Sequence, residues 1–338
     1  MSRSGLLVSF PETVLATVPV SHRIHIGITV FFTHGEVTVL ENRALVFIKP
    51  HAITDDFVGF VEKFLRDHHV GLSEPARMGA EEIRKKGIVD RHYFAIARTA
   101  VFSSPRDYRI GEGPKDRFRE AFGISWEEAL EQGRLFNSVE MQEKLGDISG
   151  IELNEIWQGE PQVKMAPGLY AGHFRGKDLY CINGFYPGQR EVFTSEGAEV
   201  VLCEGRFEPG ELSWEDFRQT VIGATDPEKA AAGSLRKELL ERFTEFGLTS
   251  RPVMSQNGVH ASAGPLEGLR ERMVWLGLDP SEDPFATELQ AGGINPERFE
   301  ELLENPIVTL DGETGPVFDL TEDMDSAEAL EKLLDGHR

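Results

Sequence analysis

Cysteine is nearly missing from this chain. Cys181 and Cys203 are its two thiols, and neither belongs to a pair with the short spacing of a zinc or iron–sulfur site. A disulfide framework is therefore not expected, and both are read as reduced thiols. Positive charge is also scarce: 35 Lys and Arg face 57 Asp and Glu, a formal net charge of -22. Binding to a nucleic-acid backbone needs clustered cations, so no nucleic-acid partner is expected, and the same field opposes anionic membrane surfaces. Long apolar runs are missing too. Ile26 to Phe32, the longest near the start, is far short of the roughly 20 residues of a spanning helix. Pro11 and Glu12 break the apolar stretch before it, so neither a signal peptide nor a membrane partner is expected and the cytoplasm is the expected compartment. No phosphate loop is present: Gly111-Glu112-Gly113 follows no convincing strand and is not followed by Lys-Ser/Thr. His68-His69 and the His22/His25 pair have no nearby cysteine and are not read as metal sites.

What is present reads as a folded protein. Its 40% hydrophobic and 27% charged residues are ordinary for a globular chain, and 338 residues fit two domains or one domain with a large insertion. Residues 1–40 read as an N-terminal extension with a β-hairpin around Thr33-His34-Gly35. Ala44 to Lys49 is a short buried strand closed by Pro50. Thr54, an N-cap residue type, then precedes Asp55, Asp56 and a helical spacing of Val58, Val61, Phe64 and Leu65.

Further along, Ala80 to Lys86 reads as a helix. Residues 101–178 read as a mainly helical insertion, with helices over Ser125 to Gln132 and Ser138 to Lys144. Phe185 to Gly188 reads as a turn, Ala198 to Cys203 as a strand, and Trp214 to Ile222 as a helix with Ser213 at its N-cap. Pro265 to Leu276 places Leu266, Leu269, Met273 and Leu276 on one stripe and reads as an amphipathic helix. Residues 278–338 read as an acidic C-terminal extension whose last helix is Ser326 to Leu334.

Three segments carry chemistry. They are Ile48-Lys49-Pro50, Gly223 to Pro227 continuing through Gly233-Ser234-Leu235-Arg236, and Asn257 to Ser262 with His260 at its centre, followed by Glu271 eleven residues after the histidine. A neutral imidazole keeps a lone pair on one nitrogen and can attack phosphorus. A carboxylate on the other nitrogen would fix its tautomer and orientation. Lysine and arginine are the cations that phosphoryl transfer needs, because its catalysis is mainly positioning and charge stabilisation.

In this order and combination the segments resemble the nucleoside diphosphate kinase family, with its IKPD strand end, its GxTNP…GTIR loop and its NxxHGS histidine segment. The resemblance covers about 42–70 and 183–277. It implies a domain over 41–277, interrupted at about 101–178, with an α+β ferredoxin-like βαββαβ sandwich of helices on an antiparallel sheet. It implies that His260 takes the γ-phosphoryl of a nucleoside triphosphate and passes it to a nucleoside diphosphate. Lys49 and Glu271 would serve as catalytic partners. The nucleotide would be held by Lys49, Tyr93, Phe185, Thr225, Arg236, Asn257, Arg218 and Ser262, with Asn257 on a ribose hydroxyl and Phe185 stacked on the base.

Magnesium would come with the phosphates rather than sit in a protein cage. A homo-oligomer is also implied. The chain departs from the family pattern at His51, where an aspartate is usual, at Ala261, where a glycine is, and at Gln219, where an arginine is, with Arg218 one position away. These departures leave open a nucleotide-binding regulatory module that has lost turnover. The insertion leaves open a phosphotransferase with a non-nucleotide acceptor.

Overall fold

The computed structural model describes residues 22–23, 29–33 and 36–337, with side chains from residue 40 onward. Near the start, Thr29–Thr33 and Glu36–Val39 pair antiparallel, and His22–Arg23 adds to Thr29–Thr33. The rest of the stretch read as the hairpin's first strand lies outside the described residues.

Along the chain, the elements that build the site are β1 (Asn42–Ile48), α1 (Asp55–Asp67), β2 (Gly71–Leu72), β3 (Ala76–Gly79), α2 (Ala80–Lys86), α3 (Ile88–His92), α4 (Gly150–Gln158), α5 (Tyr186–Thr194), β4 (Glu199–Phe207), α6 (Leu235–Arg242), β5 (Val259–Ala261) and α7 (Pro265–Trp275). The fold is mixed α+β. The sheet runs β5-β1-β4-β2, and β3 pairs the other half of the β4 edge that β2 occupies. All of these pairings are antiparallel.

β1 has apolar residues on both faces, as the unbroken run Ala44 to Ile48 requires. Ala44, Val46 and Ile48 pack toward α1 and α6, against Phe57, Val61, Leu65, Leu235 and Leu239. Leu45 and Phe47 pack toward α2, α3, α5 and α7, against Ile83, Val89, Phe193 and Trp275. α1 starts where the sequence places it: the Phe57 N–H donates to Thr54 Oγ1, with Asp55 and Asp56 in the first turn. Burying a side chain such as Phe57 or Leu65 stabilises by about 1.5–3 kcal/mol.

The stretch 101–178, read from the sequence as mainly helical, is less helical than its pattern implies. Besides its helices it supplies three strands of a four-stranded sheet whose order is Leu135–Phe136, Leu179–Ile182, Leu169–Phe174, Gln162–Ala166. Its strands are short and interleaved with Gly and Lys, which hides the period-2 signal. It has its own core around Phe118, Trp126, Met165 and Tyr180. The Ser149/Glu152 capping box starts α4. α4 crosses α5 at close range, since a Cβ on Gly188 would stand 2.8 Å from the Asn154 Cβ. The turn expected over Phe185 to Gly188 is instead the first turn of α5. Pro187 is tolerated there because its missing N–H would have had no partner.

α7 is not the one-sided helix that its leucine stripe predicts. Leu266 and Leu269 pack into a core formed with Phe285, Leu289, Phe299, Leu302, Leu330 and Leu333 of the C-terminal residues. Val274 and Trp275 pack against the sheet on the other side, and Leu276 is exposed beyond the helix end. A buried ion cluster also ties α7 to both sides: Arg272 donates to Glu204 of β4 at 2.9 Å and to Asp283 at 2.7 Å. Removing one member of a buried ion pair costs about 3–5 kcal/mol, because the other charge is left uncompensated. The last helix is Ser326–Asp335.

Candidate functional site

The antiparallel register of β5 on β1 fixes where His260 points. His260 is the Cα partner of Phe47, and directly opposed residues share a face. The imidazole therefore lies on the α3/α7 side of the sheet, stacked on the Phe47 ring at 4.6 Å. There Glu271 meets it from α7: His260 Nε2 and Glu271 Oε1 are 2.8 Å apart. The other carboxylate oxygen accepts the Ser262 hydroxyl at 2.6 Å, and Ser262 Oγ in turn accepts the Leu45 N–H at 2.9 Å.

Burial alone would push the Glu271 carboxyl up. The attraction of the His260 ring when it is protonated and the hydrogen bonds from His260 and Ser262 outweigh it and hold the group below the usual carboxylate range. An ionised carboxylate only accepts, so the ring nitrogen facing it carries the proton. In the neutral ring Nδ1 then keeps its lone pair, and no hydrogen-bond partner reaches it among the described residues.

A cavity of about 1110 Å³ opens beside this ring, and Lys49, Arg236, Asn257 and Arg218 also line it. Lys49 leaves the end of β1 and donates to Asn257 Oδ1 at 2.7 Å, while Asn257 Nδ2 donates to the Thr225 carbonyl at 2.9 Å. Arg236, at the start of α6, donates to the Gly223 and Val259 carbonyls at 2.7 and 2.9 Å. Among the described residues no carboxylate lies within ion-pair distance of Lys49 or Arg236. Burial and the Arg236 charge lower Lys49 to about 8, and burial and the Arg218 charge lower Arg236 to about 10. Two half-buried cations without a counter-charge are costly until an anion arrives.

The loop carrying Asn257 is held from two sides. Gly258 has φ +80°, and a Cβ there would stand 2.1 Å from Leu239 Cδ2, so glycine is required. Its N–H donates to His51 Nε2 at 3.1 Å. Burial and the Lys49 charge lower His51 to about 4, so it is neutral. A neutral imidazole can accept this bond, whereas the aspartate of the resembled family would put a charge beside Lys49.

Of the residues the sequence singles out, Lys49, Tyr93, Phe185, Arg218, Thr225, Arg236, Asn257 and His260 all line the one cavity, and Glu271 lies behind His260. Ser262 is a correction. It is fully buried and does not line the cavity, and its hydroxyl orients Glu271 instead of meeting a ligand. Arg218 is already engaged: it pairs with Asp323 at 2.7 Å and with Glu322 at 2.5 Å. Asn257 and Thr225 are coupled through the Thr225 main chain, with the Thr225 side chain exposed.

The sequence reading missed three features. His92 stands edge-on to His260 at 4.9 Å and accepts the Trp275 Nε1–H at 3.1 Å. Burial lowers it to about 3, so it is a neutral spacer that confines both His260 and Glu271. His92 Nδ1, His260 Nε2 and Glu271 Oε1 lie within 4.8 Å of one another. Both nitrogens already have partners, so the trio is read as a hydrogen-bonded cluster. Glu322 and Asp323 come from the C-terminal residues, and Asn154, Trp157, Gln158 and Gln162 from the stretch 101–178, all of them on the cavity wall. The Arg91-His92-Tyr93 string was the one available signal for His92. Nothing local marks the other six.

No protein-family model matches the chain, and no curated protein matches it. Several solved nucleoside diphosphate kinases align with it. The one from Encephalitozoon cuniculi is 13% identical over 70% of this chain and 90% of its own, with TM-score 0.33. The one from Aquifex aeolicus is 12% identical over 69% and 94%, with TM-score 0.34. The one from Pyrobaculum aerophilum is 16% identical over 72% and 98%, with TM-score 0.32. Among the described residues no helix is long and apolar enough to cross a membrane.

Proposed function

We propose that the chain is a phosphotransferase that moves the γ-phosphoryl of a nucleoside triphosphate to a nucleoside diphosphate through phospho-His260. The observation that carries this is the pairing of a tautomer-fixed imidazole with two cations that lack a carboxylate, all on one cavity. The sheet order and the motif set are read as a ferredoxin-like βαββαβ core elaborated between α3 and α5 and at both ends. In the first half-reaction His260 Nδ1 forms a bond to the terminal phosphorus, the bond from that phosphorus to the bridging oxygen breaks, and the diphosphate leaves. The Nε2 proton stays on the ring, and Glu271 balances the charge that develops there. Lys49 and Arg236 meet the phosphate oxygens, whose charge persists throughout. In the second half-reaction a diphosphate oxygen attacks the same phosphorus and Nδ1 leaves.

Magnesium fits as an ion carried in by the phosphates. The acids on the cavity wall, Glu322 and Asp323, are both turned to Arg218, so among the described residues these two do not form a protein-only cage. When bound, the ion would neutralise phosphate charge that Lys49 and Arg236 leave unmet.

The test is incubation with γ-labelled ATP followed by a chase with mixed diphosphates. Acid-labile, base-stable label that the chase removes supports the reading, and a chain that stays unlabelled contradicts it. The engagement of Arg218 by Glu322 and Asp323 favours a second reading, a nucleotide-binding regulatory module without turnover. That module would bind ADP in calorimetry yet pass nothing to a second diphosphate.

A further inference from the structure

The cavity has two chemically distinct walls. One carries His260, Lys49, Arg236 and Arg218, the last with Glu322 and Asp323 paired to it. The other comes from α4 and the strand Gln162–Ala166, and its lining side chains, Asn154, Trp157, Gln158 and Gln162, bear no charge. Asn154 and Gln158 are four apart on α4, so they are neighbours on one helix face. Neither side-chain amide makes a hydrogen bond among the described residues. Gln162, also on this wall, donates its side-chain N–H to the Trp157 carbonyl at 2.6 Å. The wall is fixed in place, because α4 and α5 meet at van der Waals contact through Gly188 and Asn154. Trp157 packs beneath, with Phe185 at 5.8 Å from its ring.

From this arrangement we infer that Asn154 and Gln158 read the edge of a nucleobase and give the site a preference for one base over the others. The inference rests on the phosphoryl-site reading above. A phosphate tail placed on the cationic wall leaves the organic remainder of the substrate for the neutral one. Amides that both donate and accept match the adjacent N6 donor and N7 acceptor of adenine. They meet equally well the adjacent donor and acceptor on the Watson–Crick edges of guanine, cytosine and uracil, so the spacing of the two amides sets which base is preferred. A hydrogen-bonding site discriminates more strongly than stacking, since the wrong base leaves its groups unpaired.

The experiment is calorimetry of the full chain with inorganic pyrophosphate, ADP, GDP, CDP and UDP, for the wild type and for Asn154→Ala/Gln158→Ala. Both alanines keep their Cβ atoms, so the α4–α5 contact is retained, and unchanged thermal unfolding confirms the fold. The expected result is that one of the four nucleoside diphosphates binds roughly tenfold or more tighter than the other three. The double variant then loses that preference while its pyrophosphate affinity is unchanged. Equal affinity for all four diphosphates, with pyrophosphate still bound, overturns the base-reading inference and leaves the phosphoryl site standing. Pyrophosphate and nucleotides all failing to bind overturns both. An unaltered preference in the double variant assigns the selectivity to other residues and overturns the role of Asn154 and Gln158.

Discussion

Changing Glu271 to Gln tests the Nδ1 nucleophile at constant volume. In the wild type, one carboxylate oxygen takes the His260 Nε2 proton at 2.8 Å and the other takes the Ser262 proton at 2.6 Å. A glutamine offers one acceptor and one donor. If its NH2 faces His260, Nε2 must accept, the ring proton moves to Nδ1 and the nucleophilic lone pair is lost. If its NH2 faces Ser262, the serine must turn its own proton to the Leu45 carbonyl, 3.4 Å away, and His260 keeps only a neutral hydrogen bond. Replacing a charge-assisted bond by a neutral one costs about 1–2 kcal/mol, and the imidazolium-like charge that develops during transfer loses its counter-charge. Phosphoenzyme formation should slow by roughly 5- to 30-fold while pyrophosphate affinity changes little, because Lys49 and Arg236 are untouched. Rapid-quench labelling from γ-labelled ATP measures the rate. Wild-type labelling speed in Glu271→Gln would refute the reasoning, and so would an effect confined to affinity.

Lys49 gives a pH signature. It is lowered to about 8 when free, and a bound phosphate raises it, so pyrophosphate affinity should be flat below about pH 8 and fall by up to about tenfold per pH unit above it. Lys49→Met should bind weakly with no such slope in calorimetry. The same group sets a folding slope. The unfolded lysine titrates at its ordinary 10.5, so between about pH 8 and 10.5 the unfolded state holds more protons and this group's contribution to stability rises with pH. Comparing wild type and Lys49→Met in urea measures that contribution. Glu322→Gln/Asp323→Asn should release Arg218 for phosphate and tighten pyrophosphate binding by about tenfold, whereas unchanged or weaker binding contradicts the idea that these acids compete with the ligand. Gly258→Ala should lose about 2–5 kcal/mol in urea unfolding, from left-handed strain and overlap with Leu239, and a loss below 1 kcal/mol would show that the loop relaxes.

The elements legible in the sequence are those whose signals are local. Thr54 caps α1, Ser213 accepts the Asp216 N–H, and Ala80–Lys86 is a helix because its capping and periodicity stand in a few consecutive residues. Most of the candidate site was legible for another reason: three motifs separated by long stretches of chain converge because β1, β5 and the start of α6 are neighbours. What stayed hidden depends on tertiary partners. The α7 stripe looked one-sided because the C-terminal residues that cover it look acidic and unremarkable in isolation. Ser262 looked like a ligand residue because its motif does not say which way a side chain behind β5 points. The engagement of Arg218 by Glu322 and Asp323 joins residues about a hundred positions apart, and no pattern in either segment records it.

The most direct measurement is tandem mass spectrometry of the whole protein after brief exposure to a magnesium nucleoside triphosphate, with digestion kept at alkaline pH. The expected spectrum places one phosphoryl group on the peptide containing His260, absent from His260→Ala and lost when a diphosphate is added before digestion. An unmodified His260 peptide, or phosphate on another residue that persists in His260→Ala, would contradict the assignment of this imidazole as the carrier.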